Sequence, residues 1–200
     1  PTHLMHGAEY DELMQAVEAY KDQFASVKVA EPLLGEVGDD ATVVNADKKA
    51  VAEDLTAEAV KTAGYDSLDA AKEDGVAFVF MGHGTEAESN AVYQKMQDLL
   101  TSGGHTNYFV GTVEAAPSLD DVIAAVKAGE YKKVVLEPLM VVAGDHANND
   151  MAGDEDDSWK SAFEKEGYEV TCLLRGLGEN ETIRQLYVAH AQAAVNAIAQ

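Results

Sequence analysis

Val76-Ala77-Phe78-Val79-Phe80-Met81 is an unbroken apolar run of strand length. A strand with one wet face alternates, so a run that is apolar at every position reads as a strand covered on both faces. In a chain of 200 residues this points to a parallel sheet between two layers of helix. The flanking pattern agrees. Tyr10, Leu13, Met14, Val17, Tyr20 and Phe24 recur at helical spacing and predict a helix over about 9–24. Val27 to Leu34 reads as a short strand leaving into a loop, and an alanine-rich helix is expected over about 46–63. After the central run come a helix near 88–101, a strand over 108–113, and a helix opened by Ser118 with Asp121 three residues on. A strand path then runs from Lys133 to Ala143, a helix from Trp159 to Lys165, a strand from Tyr168 to Leu174, and a last helix beyond Asn180. The fold class is therefore α/β with parallel strands, and a chain of this length needs no covalent staples.

Charge narrows the partners. Fourteen Lys and Arg face 36 Asp and Glu, a net charge of −22. Duplex nucleic acid and anionic membrane both require a basic face, so neither is expected as a partner. Cations, or a small ligand in a locally basic pocket, remain. Cys172 stands alone in Val170-Thr171-Cys172-Leu173-Leu174 and reads as a small buried hydrophobe. No apolar stretch reaches the length of a membrane span. The expected compartment is the cytoplasm, or the periplasm if an upstream signal peptide was removed. A homo-oligomer is compatible with the sequence.

Ligands in open α/β sheets bind beyond the carboxyl ends of the strands. At those positions stand Gly82-His83-Gly84, then Glu114, then Gly144-Asp145-His146. His83 to Glu114 is 31 residues and Glu114 to His146 is 32, one strand-helix-strand unit each. Two imidazoles and a carboxylate thus emerge at one edge of successive strands. That donor set suits a borderline divalent transition metal such as Co, Ni, Fe or Zn. Three protein ligands would leave open positions for reaction. The bland reading is a hydrogen-bonded loop histidine, a carboxylate at a helix start and a capping histidine.

Other candidates carry less. His105 reads as a loop residue and His190 as core-facing on the last helix. The Asp154-Glu155-Asp156-Asp157 run reads as a solvated loop. Gly82-His83-Gly84 lacks dinucleotide-binding spacing. A weak internal repeat sets Pro1…Gly7 against Pro138…Gly144, 137 residues apart; it aligns His3 with Met140 and places both toward one cleft.

Several segments together resemble the anaerobic sirohydrochlorin cobaltochelatases of the CbiK type. They are Phe80-Met81-Gly82-His83-Gly84, Val110-Gly111-Thr112-Val113-Glu114, the block from Pro138 to Asp154, Asp157-Ser158-Trp159-Lys160 and Gly176-Leu177-Gly178-Glu179-Asn180. Thr2 to Tyr10 is similar to the family's Leu-His-x-x-x-Gly-x-Glu-Tyr segment, so the likeness spans the chain. It implies a class II chelatase fold: two doubly wound parallel-sheet halves related by a pseudo-twofold, with a central cleft. Residues 1–75 would be the remainder of an incomplete N-terminal half. Residues 76–200 would be the C-terminal half carrying the metal site, with the last helix free to pack on the first part. The implied activity is ATP-independent insertion of Co²⁺ into sirohydrochlorin or a precorrin-2-type tetrapyrrole in anaerobic cobalamin biosynthesis, with no organic cofactor. The family's metal-binding and catalytic residues fall on His83, Glu114 and His146. Alternatives are a nickel or iron chelatase for the same tetrapyrrole, and a non-catalytic metal or tetrapyrrole carrier. Two departures are expected to matter: a first strand-helix-strand stretch is missing, and Ala87 stands where many relatives carry His. Helix N-termini near 88 and 118, and basic groups with Arg175 a candidate, are the expected partners for the tetrapyrrole's carboxylates, the alternative being that the missing stretch supplied them.

Overall fold

The computed structural model describes residues 1–35 and 43–198. Its centre is an all-parallel four-stranded sheet. The strands are β1 (Val76–Gly82), β2 (Tyr108–Thr112), β3 (Lys133–Pro138) and β4 (Glu169–Cys172), in the order β2-β1-β3-β4. The helices among the described residues are α1 (Ala8–Glu18), α2 (Ala46–Thr62), α3 (Leu68–Glu73), α4 (Val92–Ser102), α5 (Leu119–Lys127), α6 (Trp159–Lys165) and α7 (Glu181–Ile198). Short 3₁₀ and π turns connect some of them.

β1 is buried at every position, as its apolar run requires. Its side chains feed two cores by the two-residue period of a strand. Val76, Phe78 and Phe80 join Leu33, Leu34, Val51, Leu55, Tyr93, Met96 and Ile183 on one face. Ala77, Val79 and Met81 join Val122, Val126, Trp159 and Phe163 on the other. Thus α2, α4 and α7 cover one face, α5 and α6 the other, and the sheet is doubly wound. The chain leaves β1 for β2 on one side and returns to β3 on the other. The order therefore reverses at β1 and β3, where such sheets open a crevice.

The α/β class and the parallel sheet are as the sequence implies, and α5 carries the expected Ser118–Asp121 capping box. Three local expectations are corrected. Val27–Leu34 forms no strand. Pro32 has no N–H to give a ladder. The amides of Leu33 and Leu34 instead donate to the carbonyls of His3 and Leu4 at 3.1 and 2.8 Å. Among the described residues preceding β1 there is no strand at all, so the expected partial second half contributes helices and loops to one face of the single sheet. Third, β3 stops at Pro138 rather than Ala143, because the chain turns away to pair with the 176–178 turn through Leu177 N to Met140 O (2.8 Å) and Gly178 N to Val141 O (2.9 Å).

Candidate metal centre

The end of β1 is shaped by two glycines. A Cβ on Gly82 would lie 2.1 Å from the ring of Tyr93, which is buried. Gly84 has φ +89°, and a Cβ there would meet the Ala115 amide nitrogen at 2.9 Å. Only glycine tolerates both the dihedral and the approach. The strand end is then laced to the loop after β2: Val113 N donates to Gly82 O at 3.0 Å and Glu114 N to His83 O at 2.9 Å. Glu114 is thereby held beside His83.

The His83 Nδ1 lies 2.9 Å from Gly84 O. A carbonyl only accepts, so Nδ1 carries the proton and Nε2 keeps its lone pair. His146 opens a π turn over Ala147–Met151 and places its Nδ1 2.6 Å from Asp150 Oδ2. This carboxylate orients the ring and likewise leaves Nε2 free, the usual outer partner of a metal-binding histidine. The two rings meet edge to face, centroids 4.6 Å apart. Glu114 Oε2 lies 3.8 Å from His83 Nδ1. One donor atom from each of His83, Glu114 and His146 lies within 4.8 Å of the others. Donors on one ion at ~2.1 Å stand at most about 4.2 Å apart, so small side-chain rotations suffice for joint coordination. The three expected site residues are therefore brought together.

A cleft of about 290 Å³ opens beside His83. Leu139, Met140 and Val141 line it from the sheet side, and His3, Met5 and Glu9 from the N-terminal segment. The shared cleft of His3 and Met140, hinted by the internal repeat, is present. The Tyr93 hydroxyl accepts from Gly84 N at 3.2 Å, and burial pushes its phenol pKa up, so it stays neutral.

Other expectations do not reach the cleft. Arg175 does not line it; its guanidinium donates to Thr62 Oγ1 at 2.8 Å and Asn180 Oδ1 at 2.6 Å and lies 3.4 Å from Glu58. The N-terminus near 118 is occupied by its own Asp121 carboxylate, which accepts from Ser118 N at 2.8 Å. Near 88, Thr85 N and Ala87 N already donate to Asn90 Oδ1 and Thr85 Oγ1. Cys172 is half-buried and its thiol pKa is raised by burial, which suppresses the reactive thiolate. His190 is a tether, with Nδ1 3.1 Å from Glu31 O and Nε2 3.3 Å from Asp47. The acidic run pairs at its surface, Asp154 with Lys160 at 2.7 Å and Asp156 with Lys165 at 3.1 Å. Asp150 and Tyr93 were missed by sequence reasoning. The i, i+4 spacing of His146 and Asp150 was the available signal for the first; for Tyr93 there was none.

A family model described as cobalt chelatase (CbiK) matches residues 1–196. The chain belongs to the CbiK cobalt chelatase family. It is 34% identical over 194 residues to a sirohydrochlorin cobaltochelatase of Salmonella typhimurium, covering 97% of this chain and 66% of that protein. It is also 34% identical over 198 residues to the sirohydrochlorin cobaltochelatase CbiKC of Nitratidesulfovibrio vulgaris, covering 98% and 64%. The chain thus spans just under two thirds of the length of these CbiK relatives. A solved CbiX protein of Marinobacter aquaeolei VT8 is similar at 20% identity and a TM-score of 0.42, over 62% of this chain and 97% of that one. No helix among the described residues is long and apolar enough to cross a membrane.

Proposed function

We propose that this chain inserts Co²⁺ into sirohydrochlorin or a precorrin-2-type tetrapyrrole without ATP, a step of anaerobic cobalamin synthesis. The observation that carries the reading is the convergence of His83, Glu114 and His146, with His83 lining an apolar cleft. Membership of the CbiK family supports it. On this reading residues 1–75 are the remainder of an N-terminal half and residues 76–200 the half that carries the metal site.

The metal ion is a substrate. His83 Nε2, His146 Nε2 and the Glu114 carboxylate take it from water, a donor set matched to borderline divalent ions. Three ligands leave positions that ring nitrogens can enter. Leu139, Met140 and Val141 offer an apolar surface to the macrocycle. As ring nitrogens replace protein ligands, the released His83 imidazole takes one pyrrole N–H proton on the nitrogen that has just left the metal. Glu114 is exposed and can pass protons to solvent. The acidic surface does not itself attract a polycarboxylate, and most of its carboxylates serve solubility.

The test is absorbance-monitored Co²⁺ insertion by the wild type, His83→Ala and His146→Ala. Each substitution is expected to lower the rate at least 10²-fold. Wild-type rates in both variants would overturn the site. Stoichiometric retention of metal or tetrapyrrole without turnover would make the protein a carrier. Faster insertion of nickel or iron would reassign the metal.

A further inference from the structure

Metal insertion into a tetrapyrrole releases two N–H protons, and the metal triad accounts for one acceptor that is free at the right moment. A second acceptor that faces the same cleft but lies outside the ligand set can take its proton before any protein ligand is released, since a metal-bound nitrogen has no lone pair to offer. His3 meets this description. Among the described lining residues, His3 and His83 are the two imidazoles of the cleft. His3 lies outside the cluster of donor atoms that can share an ion.

The position of His3 is built. Its carbonyl accepts from Leu33 N at 3.1 Å and from the Tyr187 hydroxyl at 3.0 Å, so two distant segments hold its backbone. Burial pushes the Tyr187 phenol pKa up, which keeps it a donor. The ring stands edge-on to Tyr10, centroids 6.1 Å apart at 84°. Yet the side chain spends none of its polarity on the fold. Nδ1 is buried and has no hydrogen-bond partner among the described residues. A buried polar atom left unpaired costs about 1–3 kcal/mol. Such groups in native structures call for an explanation, and a catalytic role is one. The neighbouring imidazole in sequence behaves differently: His6 is spent on Glu31, at 2.5 Å. The titratable groups around His3 are Glu9 and Tyr10 from α1, Tyr187 from α7, and His83 and Tyr93 across the cleft.

We propose that His3 is the second proton acceptor of the cleft; the inference rests on the chelatase reading. Two pyrrole N–H bonds break and metal–nitrogen bonds form. One proton goes to His83 as it leaves the metal, the other to the His3 imidazole, and both pass to water. No electrons are transferred, and the metal remains divalent.

The experiment compares wild type, His3→Ala and His3→Gln. Co²⁺ affinity is measured by calorimetry without tetrapyrrole, single-turnover insertion by absorbance, and folding by circular dichroism. Co²⁺ affinity should stay within about two-fold in both variants, because His3 is not a ligand. The insertion rate should fall about 10²-fold in both, the scale of a lost general base. Glutamine keeps the bulk and a polar contact but not the basicity. Added imidazole should restore part of the rate to His3→Ala and none to His83→Ala, which has lost its metal ligand. Insertion within two-fold of wild type in either variant overturns the proposal. So does loss of Co²⁺ affinity, or unfolding of both variants, which would make His3 a structural residue. Failure of the wild type itself to insert metal is a separate result and overturns the chelatase reading beneath it.

Discussion

From Val76 to Cys172 the chain alternates strands and helices, and its strands pair with one another in one sheet. From Pro1 to Glu73 the described residues form helices and loops only, held to that sheet by side chains and scattered hydrogen bonds. The metal donors come from the first region, whereas His3, Met5 and Glu9 on the cleft wall come from the second. Strand ends and the hydrogen-bonded loops that follow them thus set the donor positions, and packing sets the wall. The seam between the regions is polar as well as apolar. Tyr108 OH donates to Thr56 O at 2.9 Å, and Asn180 Nδ2 to Asp54 Oδ2 at 2.7 Å. One apolar cluster runs from Met5 through β1 to Ile183.

If the N-terminal segment and the sheet share one core, damage in the segment must unfold both. Leu34 is fully buried in that cluster. Leu34→Ala should cost about 4 kcal/mol and lower a single thermal transition seen equally by near- and far-ultraviolet circular dichroism. Two separated transitions would break the comparison and make the segment an independently melting layer.

Glu137 probes the seam. It sits on β3, 3% exposed, with one carboxylate oxygen unpartnered among the described residues. Burial raises its pKa to about 7; Arg175 opposes the shift, while Glu58, Asp54 and Glu179 add to it. The unfolded chain ionises this group near its ordinary 4.5, so between about 4.5 and 7 it binds fewer protons than the folded one. Stability therefore falls as pH rises through that window, by roughly 3 kcal/mol from this group. Glu137→Gln should remove that slope, measured as urea midpoints from pH 4.5 to 8. An unchanged slope would show that the seam tolerates the charge.

The sheet region alone is tested by Gly82→Ala. A methyl 2.1 Å from the buried Tyr93 ring forces strand or ring to move, and overpacking of this kind costs about 2 kcal/mol. Co²⁺ affinity should fall with it, because His83 is the next residue. The smallest effect is expected at the segment's own tether. Tyr187→Phe removes the bond to His3 O and should cost about 1 kcal/mol, with Co²⁺ binding by calorimetry unchanged. A loss of metal affinity there would show that the wall also sets the donors.

Much of the sheet region was legible in the sequence. Continuous apolar runs at Val76–Met81 and Val134–Leu136 mark strands buried on both faces, and Ser118 with Asp121 marks a helix start by local hydrogen bonding. The N-terminal segment was read less well. Val27–Leu34 has strand composition, but Pro32 lacks a donor, and its leucines gain more by burial against β1 and α2 than by a ladder. Arg175 looked available for a carboxylate because its partners Thr62 and Glu58 lie more than 100 positions away in the chain.

What the sequence determined by itself was the set of chemical groups and their strand-end positions. Parallel strands joined by crossovers deliver the residues just after each strand to the same edge, so His83 and Glu114 were bound to share it; His146, eight residues beyond the end of β3, reaches it through the segment that pairs at Met140 and Val141. Which strands would be neighbours was decided by tertiary packing. The order β2-β1-β3 puts three donors side by side, and another order of the same strands would scatter them. The proton on the outer nitrogen of His146 depends on Asp150, the shape beneath His83 on Tyr93, and the unspent imidazole of His3 on Leu33 and Tyr187. The contacts to Tyr93, Leu33 and Tyr187 join parts of the chain that no local pattern relates. Only folding, by burying the apolar faces together, brings those parts within a few ångströms.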